Sequence, residues 1–249
     1  MLRILLATAA LSVLPFAAGA ADLAVKAPVV YDNWGGFYFG GTVGVARHDA
    51  TWNEIDNGGG CITDGCSGSF TLAKTGATFG ALAGYNFQHR NFVYGIETDF
   101  SWLDTDASQE WRPGRNHSAF QNSVVNGLVT VRGRAGIAID STLLYLTAGI
   151  ASANVKDSIS LTFPTVSLAT NCSGNNNNNG NNSCNSWRIG WVAGGGVEHM
   201  FNPHWTARAE VLYVDLGNST ANGTWRGIKT EGFSDTLVMA RGGVAFKWN

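Results

Sequence analysis

Four cysteines, Cys61, Cys66, Cys172 and Cys184, carry the covalent chemistry of this chain. They fall as two closely spaced pairs, each inside a long polar stretch. In an oxidising compartment such pairs form disulfides, read here as Cys61 with Cys66 and Cys172 with Cys184, although four cysteines allow three connectivities. Metal binding is the competing chemistry, but no histidine lies near either pair. The sequence therefore predicts disulfides and no metal or other cofactor.

The histidines at 48, 89, 117, 199 and 204 are scattered. His48 and His117, read as loop residues, have the right chemistry to ligate haem, against the simpler reading of solvated polar groups. A lipid hydrolase needs a hydroxyl nucleophile beside a general base. Only His199 falls on a lipid-facing strand position, and no serine stands at the matching place, so an enzyme is not expected.

The remaining chemistry is ionic. Glu97, Asp99, Glu198 and Glu210 stand with Arg132, Arg134, Arg188, Arg208, Arg241 and Lys247 on one phase of an alternating pattern, opposite aliphatic and aromatic residues. Buried charges are tolerated when paired, so these ten residues are predicted to form a network of ion pairs and waters inside a barrel lumen.

The pattern that positions them has period two and recurs in eight segments. These run over 36–46, 76–87, 92–102, 125–139, 142–153, 187–199, 205–215 and 236–248. In the third, Phe92, Tyr94, Ile96, Thr98, Phe100 and Trp102 alternate with Val93, Gly95, Glu97, Asp99 and Ser101. Tight turns are expected at 88–91, 140–141 and 200–204, and long polar loops at 47–75, 103–124, 154–186 and 216–235. Short turns on one side and long loops on the other are the mark of transmembrane barrels.

Bilayer hydrocarbon offers the backbone no hydrogen-bond partner, so a sheet enters it only when closed. The fold class predicted is all-β: an eight-stranded antiparallel up-and-down transmembrane β-barrel, whose narrow interior is filled by side chains. A water-soluble barrel of eight strands would turn its apolar face inward, whereas here the inward phase is the charged one. Trp34, Phe37, Trp102, Trp187, Trp191, Trp205, Phe246 and Trp248 cluster toward strand ends and read as interfacial girdles.

Composition agrees. Only 14% of residues are charged, there are 32 glycines, and the formal charge of -2 gives no field to attract nucleic acid. Arg3, the apolar run 4–18 and the small residues Ala18-Gly19-Ala20 form a secretory signal over 1–20. Residues 21–34 are then a periplasmic leader and 35–249 the barrel. No later apolar run approaches the roughly 20 residues of a membrane-spanning helix. The asparagine-rich tract 175–182 is expected to stay disordered.

Ala21-Asp22-Leu23-Ala24-Val25-Lys26-Ala27-Pro28, followed by Asn33-Trp34-Gly35-Gly36-Phe37-Tyr38-Phe39-Gly40-Gly41, resembles the mature start of the alphaproteobacterial outer-membrane immunogenic proteins, a porin-like family with an OmpA-type barrel. The likeness continues through Tyr94-Gly95-Ile96-Glu97, Arg132-Gly133-Arg134-Ala135-Gly136 and the last strand, leaving the loops unmatched. It departs at the end, where members finish in an aromatic residue read by the barrel-insertion machinery and Trp248 is followed by Asn249.

The resemblance implies an abundant surface protein of the outer membrane, in contact with its lipids and lipopolysaccharide, in some members linked to a haem or host ligand at the loops. The function expected is a structural barrel supporting the envelope and displaying surface loops. The alternatives are a narrow porin for small solutes and loop-mediated binding of haem or a host ligand.

Overall fold

The computed structural model describes residues 33–55, 69–111, 118–162, 181–221 and 230–248. The expected signal (1–20), most of the leader, the tract 175–182 and Cys61, Cys66, Cys172 and His117 lie outside them; Cys184 is placed by its backbone alone.

Eight strands follow one another: β1 (Gly36–Ile55), β2 (Ser69–His89), β3 (Phe92–Trp111), β4 (Ser118–Ile139), β5 (Thr142–Thr162), β6 (Asn181–Asn202), β7 (Trp205–Ala221) and β8 (Thr230–Trp248). Each pairs antiparallel with its neighbour, and β8 returns to β1 to close the barrel. The described residues contain no helix.

At one end β2–β3 and β4–β5 are joined by only two residues, with Arg90 (φ 55°) and Asp140 (φ 51°) in the left-handed region. Met200 N donates to Ser141 O and Lys247 N to His204 O, each tying a turn residue to the neighbouring strand. By the rule for such barrels, this end faces the periplasm.

At the other end the strands run on well past the predicted boundaries. Most of what reads as polar loop in the sequence is strand backbone. Polar residues such as Ser, Thr and Asn satisfy a ladder outside the bilayer as well as apolar ones do inside, and they leave no hydrophobic alternation to read.

Alternation decides which side chains meet lipid. Leu146 (74% exposed), Ile189, Ile150, Val43 and Ile96 form the aliphatic band, flanked by Phe37, Phe87, Phe92, Trp205 and Trp248 at the turn end and by Phe79, Trp102, Trp187, Trp191 and Tyr213 toward the outer end. Phe79 and Trp102 stack at 5.4 Å between ring centroids, as do Phe87 and Tyr94.

Trp34 departs from the predicted girdle. It is 1% exposed and packs inside the turn end with Val93, Ala138, Leu143, Tyr145 and Met200, its backbone N donating to Gln88 Oε1 at 2.6 Å. It precedes β1 and so is not bound by strand alternation, and the open mouth of the barrel offers its ring an apolar site. Val125 opens the fourth predicted segment on the face that Val129 and Val131 turn to lipid, but a bulge between Val125 and Gly127 shifts its phase and turns it fully inward.

Candidate functional site

The lumen is filled in layers. Next to the Trp34 cluster stand four carboxylates and four guanidinium groups, and every strand except β2 supplies a side chain to this hydrogen-bonded cluster. They are drawn together because the strands tilt across a narrow ring, so residues far apart in sequence reach one space.

Glu97 on β3 is the hub. Its Oε1 accepts from Arg132 Nη2 at 2.5 Å, and its Oε2 from Arg208 Nη1 at 2.5 Å and Tyr38 Oη at 2.7 Å. Arg134 Nη1 stands 3.6 Å from the same Oε2. Asp99, two residues on, accepts from Arg241 Nη1, from the Thr130 hydroxyl and from Ser101 Oγ.

The opposite wall mirrors this. Glu198 takes Arg134 Nη2 at 2.7 Å, Arg208 Nη2 at 3.3 Å and Thr206 Oγ1 at 2.7 Å. Glu210 takes Arg241 Nε at 2.7 Å, Arg132 Nη1 at 3.3 Å and Tyr145 Oη at 3.2 Å. Arg134 also lies over the Tyr145 ring, 4.2 Å from its centroid. All eight charged groups are buried, and Arg132 is wholly so. With every carboxylate bridging two or more arginines, charge is balanced locally, which buried ions require.

Glycine clears the space. Gly84 on β2 faces Tyr38, and a Cβ there would overlap the phenol and stand 2.7 Å from Ile96 O. Gly196 does the same for Tyr145, whose Oη would be 2.8 Å away. The inward glycines, read in the sequence only as close strand packing, let two tyrosines lie flat across the lumen.

Beyond the charges the lumen turns apolar, which the sequence reading of a charged inner face does not anticipate. Leu103, Val125, Leu128, Val155, Val192, Leu212, Val214, Leu237 and Met239 pack at 0–6% exposure. Three of these lie beyond the predicted ends of their segments or in reversed phase.

Farther out sits a second polar group. Arg188 pairs with Asp235, whose other oxygen is 2.9 Å from His48 Nε2. Arg188 is thus inside the barrel but apart from the central cluster, on the far side of the apolar layer. Asp235 and His48 fall in stretches read as loops; both are strand residues, and His48 is fully buried. That burial removes His48 as a surface haem ligand. The signal that could have found the pair is phase: His48 and Asp235 continue the inward alternation of Tyr38–Ala46 and Leu237–Arg241.

Lys247 also points inward and is 3% exposed, but among the described residues its Nζ has neither an ion-pair nor a hydrogen-bond partner. It is therefore not a member of the ionic network. The nearby Glu198 is taken by Arg134, Arg208 and Thr206 instead. His199 lies exposed at the turn end with its Nδ1 3.1 Å from Oγ1 of the half-buried Thr142 and with Phe201 against the imidazole.

A family model described as the outer membrane protein beta-barrel domain matches residues 4–237. The chain belongs to the outer membrane protein β-barrel family. Among its relatives, the 31 kDa outer-membrane immunogenic protein of Brucella melitensis is 31% identical over 199 residues, 77% of this chain and 75% of that protein. The 22 kDa outer membrane protein of Rhizobium leguminosarum is 30% identical over 186 residues, 74% of this chain and 64% of that one. In structure the chain is similar to the outer membrane protein OprG from Pseudomonas aeruginosa, with a TM-score of 0.47, 13% identity, and coverage of 88% of this chain and 100% of that one. As a member of this outer-membrane family the protein resides in the outer membrane among its lipids, and the exposed aliphatic band is its lipid-facing surface.

Proposed function

We propose that this β-barrel is a non-enzymatic structural component of the outer membrane, anchoring a surface-displayed outer half in the envelope, rather than an open channel. The observation that supports this is the filling of the lumen along its length: the Trp34 cluster, the eight-charge network, the apolar layer and the Arg188–Asp235–His48 group succeed one another. An eight-stranded barrel leaves room for side chains and not for an aqueous pore.

The same reading assigns residues 1–20 to a secretory signal and 21–34 to a periplasmic leader, with disulfides Cys61–Cys66 and Cys172–Cys184 bracing the outer segments. Lipopolysaccharide, the insertion machinery and an external ligand are the partners it proposes. The test is a deletion strain complemented either by the full chain or by one whose segments 56–68 and 163–180 are shortened. The full chain should restore resistance to detergent and bile salts and be cleaved by protease added to intact cells. The shortened chain should restore resistance alone. Failure of both to restore resistance would overturn the envelope role.

A further inference from the structure

Pairing between strands is not uniform in length. β1–β2 pairs run out to Asn53–Ser69 and β3–β4 pairs to Trp111–Ala119, but β2–β3 pairs stop at Thr78–Leu103. Likewise β5–β6 pairs reach Ser160–Asn181 and β7–β8 pairs Ala221–Glu231, while β6–β7 pairs stop at Trp191–Asp215. Among the described residues the outer half is therefore two four-stranded wings, β7–β8–β1–β2 and β3–β4–β5–β6, separated by two clefts on opposite sides of the ring.

Both clefts have the same cause. A bulge between Trp102 and Thr105 adds a residue to β3, and one between Asp215 and Asn218 adds a residue to β7. Bulges bend and twist the strand that carries them and end its pairing. Beside each branch point a glycine lets a carbonyl of the departing strand approach closely, Asp104 O at Gly76 and Asp215 O at Gly190.

Among the described residues each cleft leaves unpaired N–H and C=O groups along a strand edge, the template on which another strand adds. The edges differ in protection. β3 carries Asp104, Asp106 and Glu110 past its branch point, and charges of that density deter pairing. β2 carries Ser69-Phe70-Thr71-Leu72-Ala73-Lys74-Thr75, with one charge, no proline, and Thr71, Ala73, Lys74 and Thr75 exposed. It lies just beyond Phe79 and Trp102, outside the lipid-facing band.

We propose that the outer edge of β2, residues 69–75, is a docking site for an extended peptide segment of an external partner, held by main-chain hydrogen bonds and carrying an acidic side chain opposite Lys74. A second copy in the same membrane fits poorly. Both copies insert in one direction, so a twofold axis along the membrane normal would set identical edges parallel, N–H against N–H. A free segment has no such restriction and can run antiparallel.

The proposal rests on the surface reading above, and its test separates the two. The full mature chain in detergent is followed by amide hydrogen exchange, with a synthetic alternating threonine–valine peptide bearing one central glutamate as probe. Alternate amides of residues 69–75 should exchange fast without peptide and become protected with it. N-methylation of the peptide on one alternate set of residues should abolish the protection, and Lys74→Glu should weaken binding several-fold while leaving the barrel folded. Slow exchange without peptide, or protection indifferent to N-methylation, would overturn the edge. Resistance of residues 69–75 to protease on intact cells would overturn the external partner while leaving edge binding in detergent to be read on its own.

Discussion

Glu97 on β3 and Arg208 on β7, 111 residues apart in sequence, meet at 2.5 Å across the lumen. In a ring of eight these strands are opposite, so one ion pair spans the barrel and fixes its closed section. Replacing Glu97 by Gln would leave Arg132 and Arg208 short of a counter-charge in a buried site, a loss of about 3–5 kcal/mol. Urea unfolding in lipid vesicles measures it, and a midpoint equal to the parent's would contradict the hub assignment.

Lys247 has the opposite expectation. A buried ammonium without a partner is a cost to the fold, so Lys247→Met should leave stability unchanged or raise it, by up to about 2 kcal/mol. The same unfolding experiment decides, and a clear loss would mean that Lys247 does hold a partner.

The Trp34 side chain closes the turn end by packing. Trp34→Ala should cost about 3–5 kcal/mol from lost burial and the cavity left behind. The variant should also admit solvent to the periplasmic mouth, read as faster exchange of the amides around Val93 and Leu143. Unchanged stability would place the indole outside the lumen.

Peptide mapping of the exported protein without reductant should recover Cys61 linked to Cys66 and Cys172 linked to Cys184. Reduction should lower the unfolding free energy by no more than about 2–3 kcal/mol per bridge, the chain-entropy effect expected for loops of this length. Recovery of crossed pairs would refute the assignment.

Period-two alternation made the eight membrane-embedded segments legible, because lipid on one side and a crowded lumen on the other force every second residue into the opposite environment. Three features escaped it. The outer continuations, such as 47–55 and 154–162, are rich in polar residue types and so show no apolar phase in the sequence. The bulge at Val125 shifts phase within a segment without marking itself in residue type. Trp34, preceding β1, obeys packing rather than alternation. The charges were readable as inward, but which pair together depends on strand tilt and stagger. This is why Arg188 belongs with Asp235, and Lys247 with neither group.

The lumen of this barrel is filled and held shut by its charges. Single-channel conductance of the refolded mature chain in a planar bilayer tests it, beside the double variant Arg132→Ala with Arg134→Ala. The parent should be silent and the variant leaky, since removing two buried guanidinium groups opens space and leaves the carboxylates to be hydrated. Steady openings of the parent would contradict the filled-lumen account and establish a narrow porin in its place.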